Sequence, residues 1–185
     1  MSRVDFVSRL HKKTGRNYLE RVLNYDKAEC AMIARQFARD YWDGERQYGY
    51  GGYKYDGRWR PIAQDMAEYY RMEAGQKVLD VGCGKAFLLY ELSQVVPGLE
   101  VAGIDISSYA IDNTKEEVKG FLRVGNAREL PYEDNSFDLV YSITTLHNLC
   151  VYDLKQAVQE IERVSRKNSY IVVESYRNER EKVNR

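Results

Sequence analysis

Long apolar runs are missing from this sequence, and so is any excess of charge of one sign. Nothing in it approaches the ~18–20 consecutive apolar residues of a membrane span. The N-terminus is charged from Arg3 onward, where a secretory leader would need an uninterrupted apolar stretch. Membrane-embedded and secreted roles are therefore disfavoured. Basic and acidic side chains balance at 28 each, so the basic stripe with which nucleic-acid binders neutralise phosphate is absent. Cysteine is scarce. Cys30, Cys83 and Cys150 are odd in number and widely spaced, which fits no disulfide framework or CxxC knuckle and points to a reducing cytoplasm. Only His11 and His147 accompany them, too few for a zinc site to be expected. The 185 residues suffice for one domain with a sizeable core and no staple.

What is present falls into zones of different texture. Residues 1–42 read as helical. Phe6, Val7 and Leu10 share one face, Tyr18, Leu19, Val22 and Leu23 another, and residues 27–39 keep apolar groups at three- and four-residue spacing. This zone reads as a cap or dimer surface on a main domain. Next comes DGERQYGYGGYKYDGRWR (43–60), in which Gly44, Gly49, Gly51, Gly52 and Gly57 oppose a stable helix. Tyr48, Tyr50, Tyr53, Tyr55 and Trp59 are interleaved with them. Pro61 then opens a helix expected to close at Gly75.

From Lys77 strands alternate with helices. Strands are expected at 77–81, 100–106, 121–125, 137–143 and 169–176. Helices are expected at 85–95, at 107–118 behind a serine cap, and at 153–167 with Leu154, Ala157, Val158 and Ile161 on one face. That alternation implies a parallel α/β sheet with helices on both faces.

The informative stretch is Val78-Leu79-Asp80-Val81-Gly82-Cys83-Gly84-Lys85-Ala86-Phe87. A strand ends in an acid, a glycine turn follows, and a helix begins with its N-terminus open toward a ligand. Twenty-one residues beyond Gly84, Asp105 ends the second strand, where an acid can accept hydrogen bonds from ribose hydroxyls. The dinucleotide fingerprint needs a third glycine where Phe87 stands, which disfavours an NAD-linked oxidoreductase. An acid, one residue, then G-x-G-x-small is satisfied by Asp80, Gly82, Gly84 and Ala86.

On these residues the chain resembles the class I S-adenosylmethionine (SAM)-dependent methyltransferases, over roughly residues 75–176. The resemblance implies a Rossmann-like sheet of strand order 3-2-1-4-5, with residues 1–60 as cap and Gly/Tyr-rich lid and residues 61–185 as the cofactor-binding core. It also implies that Asp80, Gly82, Cys83 and Gly84 form the SAM loop, that Asp105 takes the ribose, and that Ile106 flanks the adenine. Asn126 and Ala127 of the Gly-Asn-Ala turn would read the adenine, and Ser142 at the end of strand four would complete the cofactor set. The Leu130-Pro131 and Asp134-Asn135-Ser136-Phe137-Asp138 run resembles the family's entry into strand four. The family's last two strands, an antiparallel hairpin, are not expected in this chain, so that strand five is left as an open edge.

The implied reaction is in-line methyl transfer to oxygen or nitrogen of a small molecule, which needs alignment and a dry site more than a nucleophile. The alternative is a methyltransferase-like subunit that binds SAM or a partner without turnover. His147, where the family often places a residue near the methyl group, is a candidate base or substrate contact, or a packing histidine. Tyr53 is the second catalytic candidate. Tyr48, Tyr55, Arg58 and Trp59 are candidates for an aromatic lid facing the sulfonium and holding an anionic group. The GYGGYKYDGRW spelling also resembles the N-terminal segment of stand-alone bacterial methyltransferases of surface-carbohydrate pathways. The partners expected are a small-molecule acceptor, with neither nucleic acid nor membrane, and a second copy of the chain at the N-terminal helices or the open sheet edge.

Overall fold

The computed structural model describes residues 4–10 and 25–173, so the face expected for Tyr18, Leu19, Val22 and Leu23 lies outside the described residues. In chain order the elements are α1 (Lys27–Ala34), α2 (Arg39–Asp43), α3 (Arg60–Tyr70), β1 (Lys77–Val81), α4 (Phe87–Val95), β2 (Glu100–Asp105), α5 (Ser108–Asp112), α6 (Glu116–Lys119), β3 (Leu122–Val124), β4 (Phe137–Ile143), α7 (Val151–Val164) and β5 (Ser165–Val172). Single 3₁₀ turns lie at Ser8–Leu10 and Leu146–Asn148.

All five strands pair in parallel, in the order β3-β2-β1-β4-β5, as the strand–helix alternation and the family resemblance imply. Period-two alternation sends neighbouring side chains to opposite faces, and both faces are covered. Val78, Leu139 and Val101 join α3, α4 and the N-terminal Phe6 and Val7 in one core. Leu79, Val81, Ile104 and Val140 join Ala157, Ile161 and Val164 of α7 in the other. Each such Leu, Ile or Val contributes about 1.5–3 kcal/mol by leaving water. Phe6 is seated by edge contacts to Tyr69 and Tyr170, which ties the N-terminal segment to the β5 end of the sheet.

Several boundaries differ from expectation for local reasons. The helix expected over 27–39 ends at Ala34, because Phe37 takes a left-handed backbone (φ 48°) and the chain restarts as α2. The helix opened by Pro61 stops at Tyr70 on a left-handed Arg71, while Gly75 serves a separate turn, donating its N–H to the Gly98 carbonyl. The helix expected over 107–118 is two short ones. Asn113 donates its side-chain amide to the Tyr109 carbonyl and Thr114 its hydroxyl to the Lys85 carbonyl, and such bonds compete with helix propagation. The Ser107 cap is present, accepting the Ala110 N–H. On α7, Val158 is exposed, and Val164 takes the expected place beside Ala157 and Ile161. Strand β5 begins four residues earlier than expected, directly from α7, with a register irregularity opposite Phe137 and Leu139. The last expected strand residues, 174–176, lie outside the described ones.

Candidate cofactor and acceptor site

The carboxyl ends of β1, β2 and β4 meet at a cavity, the position where a parallel sheet whose order reverses beside its first strand opens a crevice. Its floor is the turn after β1. Gly82 and Gly84 both have positive φ, 81° and 54°. A Cβ on Gly82 would come within 2.2 Å of the Thr145 side chain, and one on Gly84 within 2.6 Å of the Trp42 ring. Gly82→Ala is expected to cost about 1–3 kcal/mol through backbone strain and displacement of Thr145. The readout is the urea midpoint, with Gly120→Ala as a near-neutral control. Gly120 has helical backbone and no neighbour within 4 Å of an added Cβ. Ala86, in the place of a third glycine, holds a left-handed backbone (φ 53°) at the start of α4.

Asp105 organises this floor. One carboxylate oxygen accepts the Gly84 N–H at 2.7 Å and the other the Ser107 N–H at 2.8 Å, so each oxygen keeps a lone pair for a ligand. Burial raises its pKa against the opposing effect of these backbone bonds. Asp80, at the end of β1, lies opposite Tyr141 of β4 in the strand register. Burial pushes its carboxyl well above the usual range; Tyr141 partly offsets this and the Asp105 charge adds to it. The Tyr141 hydroxyl is fully buried and faces the Asp80 carboxyl, and the interaction between the two opposes the effect of burial on Asp80. The Cys83 thiol is pushed up by burial, with Asp80 and Asp105 adding.

The mouth is covered by residues 37–59. Trp42 lies against Gly84 and donates its indole N–H to Ser107 Oγ at 2.9 Å. Tyr50 stacks parallel to Trp42 with centroids 5.2 Å apart, and Tyr53 lies 4.6 Å from Tyr50 and 5.0 Å from Phe87. Trp59 donates its N–H to the Tyr53 hydroxyl at 2.9 Å, and burial pushes that phenol's pKa up. Two ion pairs fasten the segment. Asp43 takes the Lys85 ammonium at 2.6 Å and the Tyr109 hydroxyl at 2.9 Å. The fully buried Glu91 of α4 takes the Tyr55 hydroxyl at 2.5 Å and the Arg60 guanidinium at 3.3 Å.

Among the residues singled out from sequence, the cavity brings together Tyr53, Trp59, Asp80, Gly82, Cys83, Gly84, Asp105, Ile106, Asn126 and Ala127. The Asn126 side-chain oxygen also accepts the Arg128 N–H at 3.0 Å, which fixes its orientation. Five others do not line the cavity. Ser142 is wholly buried between Tyr141 and Ile143, which do line it, so strand alternation turns Ser142 away. His147 is exposed, and the same turn presents Thr145, Asn148 and Leu149 instead. Tyr55 faces Glu91, Arg58 is neutralised by Asp56, and Tyr48 is half-buried elsewhere. Sequence reading missed Trp42, Tyr41 and Phe37, which it assigned to a helical cap. It also missed Tyr141, hidden among the apolar residues of a strand.

A glycine turn answered by an acid at the end of the second strand, in this strand order, belongs to a Rossmann-like sheet. A family model described as a methyltransferase domain matches residues 72–184, and the chain belongs to that family. It is 35% identical over 121 residues to a demethylmenaquinone methyltransferase of Halalkalibacterium halodurans, covering 62% of this chain and 47% of that protein. It is 38% identical over 120 residues to a demethylmenaquinone methyltransferase of Staphylococcus aureus strain JH9, with the same coverage. The chain thus spans about half the length of these curated relatives. The crystal structure of the PH0226 protein from Pyrococcus horikoshii OT3 superposes with a TM-score of 0.55 at 28% identity, covering 72% of this chain and 62% of that one.

Proposed function

We propose that this protein is a SAM-dependent methyltransferase acting on oxygen or nitrogen of a small molecule. The observation that carries the reading is Asp105. Its carboxylate bridges the glycine turn and the α5 cap, and it keeps acceptor capacity toward a ribose. The residues present suit the cofactor. Gly82 and Gly84 let the turn take its left-handed backbone along the cavity floor, Ile106 and Ala127 offer apolar surface for an adenine, and Asp80 adds an acid to the lining.

When bound, SAM supplies an electrophilic methyl on a sulfonium. The protein's part is then to hold and to exclude. The 37–59 segment keeps water from the mouth, and in a dry site the surrounding dipoles act at fuller strength. Like any phenol, Tyr53 is protonated at neutral pH, and burial takes it further from acting as a base. The free state of Cys30, Cys83 and Cys150 supports a reducing compartment, which we take to be the cytoplasm. Among the described residues no helix is long and apolar enough to cross a membrane.

Calorimetry with SAM and with S-adenosylhomocysteine tests the reading. Saturable heat from both, together with SAM turnover in a mixture of small phenols and amines, is the expected result. Folded protein that gives no heat with either ligand overturns it.

A further inference from the structure

Glu91 is a buried acid outside the cavity lining. It lies in the middle of α4, wholly buried, on a helix whose Leu88, Leu89 and Leu92 belong to the core. Taking a carboxylate out of water often costs more than its ion pairs return, and an apolar residue of similar volume is commonly as stable or more so in such a place. Packing alone gives no reason for an acid there.

Its bonds supply one. One oxygen accepts the Tyr55 hydroxyl at 2.5 Å and the other the Arg60 guanidinium at 3.3 Å. Tyr55 and Arg60 are the two ends of one tight loop. Within it Gly57 takes a positive φ (76°), its carbonyl accepts the Arg60 N–H at 3.1 Å, and Arg58 closes on Asp56. A single buried carboxylate thus fastens both ends. The ring that the loop carries, Trp59, lines the cavity and donates its N–H to the Tyr53 hydroxyl. Lys115 lies 4.1 Å from the Tyr55 ring centroid and Tyr90 meets that ring edge-on at 5.5 Å, but these contacts hold the Tyr55 end alone.

Resting on the methyltransferase reading, we infer that Glu91 is a positioning residue: through Tyr55 and Arg60 it seats Trp59 and Tyr53 at the cavity, and so slows escape of the bound cofactor. This role is separable from stability. Tyr55 is 37% exposed and the Arg60 side chain 54%, so neither partner is stranded away from water when the acid is removed.

Glu91→Met tests it by replacing the acid with an apolar chain of similar length. Its urea midpoint is expected at or above that of the wild type. The chain has two tryptophans; Trp42 is 6% exposed and Trp59 half-buried, so acrylamide quenching of their emission reports chiefly on Trp59. Quenching of the ligand-free variant is expected to rise about twofold, and dissociation of S-adenosylhomocysteine, followed by stopped flow, to become about tenfold faster. Tyr55→Phe is expected to move quenching the same way by a smaller amount, and to add nothing in the Glu91→Met background, where the hydroxyl has no carboxylate to meet. Should Glu91→Met fold poorly, Tyr55→Phe alone decides, since it leaves the α4 core untouched. Wild-type quenching in the variant that decides, or additive effects of the two substitutions, overturns the inference and leaves the rings and Lys115 as sufficient. A wild-type protein that binds no S-adenosylhomocysteine brings down the methyltransferase reading instead, and quenching, measured without ligand, still reads the seating of Trp59.

Discussion

Asp105→Asn is expected to weaken S-adenosylhomocysteine binding about a hundredfold, measured by calorimetry, while leaving a folded protein. The carboxylate has two oxygens, and both already accept backbone N–H groups, from Gly84 and from Ser107. An amide has one oxygen. Its NH₂ must face one of those two N–H donors, so either the glycine turn or the α5 cap loses its partner, and the ribose loses a charged acceptor. Two charge-assisted bonds at about 1.5–3 kcal/mol each would exceed a hundredfold, and part of that is recovered because the asparagine oxygen still accepts one bond. Stability is expected to move less. An unsatisfied buried N–H costs about 1–3 kcal/mol, but burial raises the Asp105 pKa, so the ionised wild-type side chain is itself a destabilising element. For a raised carboxylate the folded state binds the proton more tightly than the unfolded state. Wild-type stability therefore falls as pH rises from the ordinary carboxylate pKa through the raised one. That decline is expected to be shallower in Asp105→Asn, as measured by urea denaturation at several pH values.

How much of this was legible in the residues follows from where each signal comes from. The sheet was legible because buried parallel strands are short apolar runs, and 77–81 and 137–143 match the strands observed. The floor was legible because glycine turns and a strand-end acid are local in sequence. The segment over the cavity mouth was legible only as composition. Gly/Tyr spelling shows that aromatic residues sit on a chain that cannot be helical, but not which rings turn inward. That choice is made by particular partners: the buried Glu91 takes the Tyr55 hydroxyl, while Tyr50 and Trp59 hold Tyr53 at the cavity. Trp42 escaped notice for the same reason. Its role depends on Gly84 and Ser107, whose approach no helical periodicity foretells. His147 illustrates the converse. A plausible residue type at a plausible position is turned outward by a single 3₁₀ turn.

Asp43→Ala is expected to destabilise the protein by about 3 kcal/mol, the lower end of the range for breaking a buried ion pair. The Lys85 side chain is 5% exposed and that of Asp43 23%, so the variant leaves an ammonium in the glycine turn with little access to water. Lys85→Met alone is milder, since Asp43 keeps the Tyr109 hydroxyl and the Tyr53 N–H. The Asp43→Leu/Lys85→Met double variant, with both charges removed, is expected to recover most of the stability lost in Asp43→Ala. Recovery of cofactor affinity is a different matter. In the wild type, one carboxylate joins the lid, the glycine turn and α5, so ordering the turn orders the lid. The double variant keeps the fold and loses that tie, and its S-adenosylhomocysteine affinity is expected to remain about tenfold below wild type. Acid removes the Asp43 charge alone and leaves the Lys85 ammonium unpaired, as Asp43→Ala does. Burial alone would raise Asp43, but the Lys85 and Tyr109 hydrogen bonds and the Lys85 charge outweigh it, and its pKa lies below the usual value. A depressed carboxylate contributes stability that is complete above its unfolded pKa and is lost as pH falls through the folded one. The lid is therefore expected to stay shut down to about pH 4 and to open below it, as a red shift of Trp42 and Trp59 emission. In the double variant that emission is expected to be red-shifted already at neutral pH. A double variant with wild-type emission and wild-type affinity would show that the aromatic stacking alone closes the mouth.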